Sequence, residues 1–161
     1  MRIINFTFVI ILALLLSACT NGENPQEHVT EIYSVALNSI MKEDPGLNDD
    51  MDYIAVDFTN INDLAEKEKE EIVSTIQKEY GVDVMIATFE ELKEKGLSDL
   101  DTGELYGVLL KLDKVDFKLN NEIFFEASKY RSGLGAIGVE GTIHFIDGEW
   151  EIKELTHIWM S

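Results

Sequence analysis

The groups in this 161-residue chain whose type and spacing bear on chemistry are one thiol, one arginine beside a glycine cluster, three histidines and two acidic loops. Cys19 is the sole cysteine, so no disulfide closes within the chain and its sulfur is available for modification. Lys129-Tyr130-Arg131-Ser132 leads into Gly133-Leu134-Gly135-Ala136-Ile137-Gly138, which matches GxGxxG. That motif takes a dinucleotide only where it follows a parallel strand and opens a helix whose N-terminus faces the pyrophosphate. Val139 to Ile146 alternate instead as a strand, which predicts a glycine-rich connection between antiparallel strands, in backbone conformations that need Gly. Two readings of Arg131 follow. Its guanidinium binds a carboxylate or phosphate beside the Gly133 and Gly135 amides, or it pairs with one of many acidic side chains.

The other candidates are weaker. Asp99-Leu100-Asp101-Thr102-Gly103-Glu104 has the look of a calcium loop, yet an EF-hand needs Gly sixth and Glu twelfth; here Gly103 is fifth and Leu110 twelfth. Asn48-Asp49-Asp50-Met51-Asp52 is a second acidic loop able to attract a cation. His28, His144 and His157 have no metal-binding spacing, and no serine sits in a GxSxG elbow. No residue is assigned a catalytic role, and neither a metal nor a cofactor is expected.

Around Cys19 the signal is specific. Arg2 precedes an apolar run, Phe6 to Leu15, which ends in Leu16-Ser17-Ala18-Cys19. The run is too short for a spanning helix, which needs about 20 apolar residues, but suits a secretory h-region. Leu, small, small, Cys resembles the lipobox of bacterial lipoprotein signal peptides. That resemblance implies cleavage before Cys19 and a diacylglyceryl group on its sulfur. Two acyl chains anchor stably where one binds reversibly. The expected organisation is a signal peptide over residues 1–18, a lipidated tether over 19–26 and one α+β domain over 27–161. The protein is then expected on the extracytoplasmic side of the cell membrane.

The formal net charge is −18, from 13 basic and 31 acidic residues, and residues 1–18 hold one of the basic and none of the acidic ones. Such a surface repels nucleic acid and anionic headgroups and attracts cations or a basic protein partner. Solubility is its simplest consequence.

Hydrophobic periodicity places the elements. Val29, Ile32, Tyr33, Ala36, Leu37, Ile40 and Met41 predict a helix over residues 27–43, stopped by Pro45-Gly46. Tyr53 to Phe58 and Val82 to Ala87 read as short strands. A helix spans roughly Asp63 to Tyr80, with Gly81 placed to end it. Thr88-Phe89-Glu90-Glu91 is a capping box opening a short helix that Gly96 ends. From Leu105 apolar residues alternate, and the phase slips near Asp113-Lys114, which predicts a β-bulge. Asn120-Asn121 is expected as a two-residue turn placing Phe117 opposite Phe124. Asp147-Gly148 is expected to place Phe145 opposite Trp150 and Ile143 opposite Ile152. The class is α+β: helices and two short strands, then a four-stranded curved antiparallel sheet, NTF2-like or cystatin-like in general shape.

The segment from Lys129 to Gly138, Asp147-Gly148-Glu149-Trp150-Glu151-Ile152, and upstream Phe89-Glu90-Glu91-Leu92 with the lipobox together resemble small uncharacterised lipoproteins of low-GC Gram-positive bacteria. The resemblance implies a family and carries no activity with it. The expected function is a membrane-anchored, non-catalytic binding or interaction module. The alternative is an envelope-associated hydrolase using a pocket in the curved sheet.

Overall fold

The computed structural model describes residues 23–161, so Cys19 and the expected signal segment lie outside the described residues. The chain forms α1 (Val29–Lys42), β1 (Tyr53–Asp57), α2 (Glu66–Tyr80), β2 (Asp83–Ile86), α3 (Phe89–Glu94), β3 (Val108–Phe117), β4 (Ile123–Ser132), β5 (Gly135–Ile146) and β6 (Glu149–Met160). The α+β class holds.

The sheet departs from expectation. It has six strands in the order β2-β1-β3-β4-β5-β6, and β1 runs parallel to both β2 and β3. The four C-terminal strands are antiparallel, so the sheet is mixed. The two short strands therefore extend the main sheet rather than preceding it. The reason is burial. All five residues of β1 are buried, including Ile54, Ala55 and Val56 at 0 % exposure, and a strand covered on both faces belongs in a sheet's interior.

One face carries the main core. Ile32, Leu37 and Ile40 of α1 and Ile72 and Ile76 of α2 are wholly buried against Ile54, Val108, Leu110, Phe125, Val139 and Ile143. α1 packs over β3 to β6, while α2 lies beside α1 and over β2. The opposite face has a smaller core of Tyr53, Ala55, Ala87, Leu92, Leu105 and Leu109 beneath α3 and the loop before β3. Over β4 to β6 that second face is not covered by a helix; Phe124, Glu126, Ser128, Glu140 and Thr142 on it are half-exposed.

The turn chemistry is mostly as expected. Asp147 (φ 52°) and Gly148 (φ 100°) both take positive φ, and Phe145 faces Trp150, Ile143 faces Ile152 and His144 faces Glu151. The β3–β4 register slips between Leu112 and Lys114, at the anticipated bulge. The β3–β4 turn is the exception. Phe117 faces Ile123, not Phe124, because Lys118 N–H donates to the Glu122 carbonyl at 2.9 Å and Asn121 alone takes φ 57°. The loop thus holds three residues, 119 to 121, the last left-handed. Leu119 stands wholly exposed at its tip. Edge strand β6 carries two register shifts against β5, at Ile158 and at Lys153.

Candidate functional site

The glycine cluster folds into the β4–β5 hairpin. Gly133-Leu134 is its two-residue turn, and Gly135 to Gly138 lie in β5. Gly133, Gly135 and Gly138 do not take positive φ, so the expectation that their conformations need glycine is corrected. Gly133 has open space around it, and what marks Gly135 and Gly138 is the close approach of side chains. A Cβ on Gly135 would stand 2.9 Å from Leu47 Cδ2, and one on Gly138 would stand 2.2 Å from Trp159 Nε1.

The basic segment before it points in alternate directions along β4, and its cations serve the fold. Lys129 is wholly buried on the α1 face. Its ammonium donates to the carbonyls of Met41 (3.3 Å), Glu43 and Asp44 (3.1 Å) and to Asn48 Oδ1 (3.1 Å). These acceptors lie in and just past the last turn of α1, where the helix dipole also favours a cation. Burial pushes Lys129 down to about 8, against the opposing pull of Asp44 and Glu43. Arg131 is half-buried, and its Nη1 donates to the carbonyls of Leu47 (3.3 Å) and Asp49 (3.0 Å). Its nearest acceptors are thus backbone oxygens, a third possibility beside the anion and the acidic side chain. The Asn48–Asp52 loop does face cations, but they are the chain's own.

The other sequence candidates are dispersed. Asp99 Oδ1 accepts from the amides of Asp101 and Thr102 and from the Thr102 hydroxyl, and the Thr102 amide is the first cause holding its carboxyl below the ordinary value. Among the described residues no three His, Cys, Asp or Glu are grouped to hold a metal ion. His157 Nε2 meets Glu43 Oε2 at 2.6 Å, His28 lies between Glu23 and Glu31, and His144 Nε2 is 3.2 Å from Glu122.

A cleft that the sequence reading missed opens on the second sheet face. It encloses about 270 Å³ and is lined by Phe89, Leu109, Lys111, Ser128, Tyr130 and Trp159. Each wall has a local cause. Phe89 is the first residue of α3, fixed by the capping box: Thr88 Oγ1 accepts from the Glu91 amide (3.3 Å) and Glu91 Oε2 accepts from the Thr88 amide (2.8 Å). Phe89 meets the Tyr130 ring edge-on, centroids 5.2 Å apart, and the Tyr130 hydroxyl donates to the Gly103 carbonyl at 3.2 Å. Trp159, on β6, lies over Gly138 of β5, which is its register partner. The Gly138 position is what lets the indole lie down on the sheet.

The polar part of the cleft is Lys111. Its ammonium stands 3.8 Å from Asp57 Oδ2 and 4.0 Å from Asp113 Oδ1, too long for strong hydrogen bonds. Asp57 Oδ1 accepts from the Thr59 amide at 2.8 Å, and Asp113 Oδ2 accepts from the Ser128 hydroxyl at 3.0 Å. Lys111 is thus an ammonium flanked by two carboxylates at the edge of an aromatic cleft. The volume falls just under the roughly 300–1,000 Å³ of sites for drug-sized ligands, so it suits a single ring or a short acyl group. The walls Phe89 and Trp159 come from separate elements, and nothing local in the sequence showed that they meet across Leu109 and Lys111.

The fold and cleft define an α+β domain with α1 and α2 over one sheet face and, on the other, an aromatic-walled cleft beside α3. Comparison of the chain with protein-family models, curated proteins and solved structures gives no match. No described helix is long and apolar enough to cross a membrane.

Proposed function

We propose that this protein is a bacterial lipoprotein, acylated at Cys19 and held on the extracytoplasmic face of the cell membrane, whose domain is a non-catalytic binding module. The lipobox-like Leu16-Ser17-Ala18-Cys19 supports the anchor. The resemblance to small lipoproteins of low-GC Gram-positive bacteria supports the compartment. The two longer helices packed on one face of the sheet support reading the shape as NTF2-like or cystatin-like, and such folds host binding modules as well as enzymes.

The observation that carries the binding role is the cleft between Phe89 and Trp159, with Lys111 at its edge. Two aromatic walls offer stacking area, and an ammonium within reach selects a ligand bearing an anionic group. The domain's net negative charge lowers the local concentration of such anions, so contact area rather than long-range steering supplies the affinity.

Two measurements test the proposal. Intact mass of the membrane-extracted protein should show a chain starting at Cys19 with added acyl mass, abolished by Cys19→Ala. Titrating the purified domain with small anionic aromatics and saccharide acids should change Trp159 emission, with no response in Trp159→Phe. An unmodified Cys19 sinks the anchor. Reproducible turnover of an envelope substrate sinks the binding role in favour of the hydrolase.

A further inference from the structure

The lipid-anchored reading of Cys19, on which the following rests, determines which end of the domain meets the membrane. Glu23 is the first described residue, and it is fastened to the β3–β4 turn. The Asn121 side-chain amide donates to the Glu23 carbonyl at 3.2 Å, and the Glu23 carboxylate lies 3.5 Å from His28 Nε2. Four residue steps separate Glu23 from Cys19. Fully extended, they reach about 14 Å. The acylated sulfur is therefore confined to the neighbourhood of this turn.

The turn presents Leu119 at its tip, wholly exposed. A single exposed leucine needs no explanation in general. This one stands beside the fastened end of the tether, at the pole that also holds the N-terminus of α1, where Tyr33 lies 6.5 Å from Phe117. We propose that the β3–β4 turn rests on the bilayer and that Leu119 enters its interfacial layer. One leucine adds too little to bind a free domain. On a domain already tethered, the contact is intramolecular in effect, and a small preference suffices to orient it.

The contact is apolar rather than electrostatic. Lys114 and Lys118, the cations near the turn, both pair with Asp116, at 2.9 and 3.1 Å. The acidic Glu23, Glu122 and Asp147 stand at the same pole. The occupant is accordingly the lipid surface itself and not an anionic headgroup. Lys111, at the cleft, lies six residues back along β3 from Phe117, where the strand enters the turn, or roughly 20 Å at strand spacing. The cleft thus sits on the half of the domain away from the bilayer.

The test uses the full lipidated chain, purified from membranes and reconstituted in phosphatidylcholine vesicles. Leu119→Cys or Leu134→Cys, the latter in the β4–β5 turn at the opposite pole, supplies a labelling site for an environment-sensitive fluorophore. A quencher attached to the lipid headgroup should reduce emission several-fold more at position 119 than at 134, with little dependence on salt. Equal quenching, or stronger quenching at 134, overturns the orientation. The wild-type chain is the control on the premise. If Cys19 is acylated it takes no thiol label and floats with the vesicles. Labelling of Cys19 without flotation overturns the anchor and the orientation together, whereas flotation without quenching at 119 overturns the orientation alone.

Discussion

Trp159 lies across Gly138, so close that a methyl group on the glycine would meet the indole nitrogen at 2.2 Å. Trp159 is 46 % exposed and free to swing outward, so Gly138→Ala should displace the ring at modest cost. The expected result is red-shifted Trp159 emission and a lost ligand response, with the unfolding midpoint little changed. Gly141→Ala is the contrast. There the new carbon would meet the Glu154 carbonyl at 2.7 Å and the Phe125 ring at 2.7 Å, neither able to move freely. Its expected cost is about 1–3 kcal/mol, measured by urea unfolding.

Lys129 should give stability a pH dependence of defined sign. Its folded value is about 8 against an ordinary 10.5, so between these the unfolded chain binds the extra proton. Stability then rises with pH from about 8 toward 10.5. Burial first, then nearby acids, pushes Tyr33 and Tyr80 up from 10.0 to about 12, so their contribution is lost as pH climbs from 10 to 12. The two trends should produce a maximum near pH 10 in urea midpoints. Lys129→Met should flatten the lower limb and, by stranding the carbonyls past α1, cost about 1–3 kcal/mol at pH 7. A flat wild-type profile between pH 8 and 10 would contradict the assignment.

The short helix α3 depends on its cap more than a long one would. Thr88→Ala removes the acceptor for the Glu91 amide and should cost about 0.5–2 kcal/mol. Phe89 follows Thr88 directly, so the same variant should weaken ligand binding at the cleft. Thr88→Ser should restore both, as read by thermal melts and fluorescence titration.

Arg131→Ala should release the loop after α1 by removing donors to Leu47 and Asp49, at a cost of about 1 kcal/mol. Amide exchange should quicken across residues 44–49. An unchanged response to carboxylates and phosphates would mark the residue as structural, whereas a lost response would revive the anion site with Gly133 and Gly135.

Local signals were legible in the sequence. The capping box at Thr88 and Glu91, the Asp147-Gly148 turn and the bulge at Asp113 each depend on a few neighbouring residues. The off-by-one turn at Asn120-Asn121 arose because two asparagines both tolerate positive φ and only Asn121 adopts it. The parallel pairing of β1 was less accessible, although the unbroken apolar Tyr53-Ile54-Ala55-Val56 is the signature of a strand buried on both faces. Lys129 was beyond local reading. Its acceptors lie more than 80 residues away in sequence, and three of the four are backbone carbonyls. The cleft escaped for the same reason, since its two walls come from Phe89 and Trp159 at distant points of the chain.

The two bulges in β6 bear on how many copies can share a surface. The outer edge of this twelve-residue strand is broken at Lys153 and Ile158, so no stretch longer than four residues, 149 to 152 or 154 to 157, keeps an even ladder. The other edge, β2, is four residues long. Tethering confines proteins to two dimensions and multiplies their encounters. A straight edge of twelve residues would invite neighbours to zip together strand to strand, and the interrupted one withholds that template. On the anchor proposed for Cys19, neighbouring copies would thus meet an edge with no long even ladder to pair with.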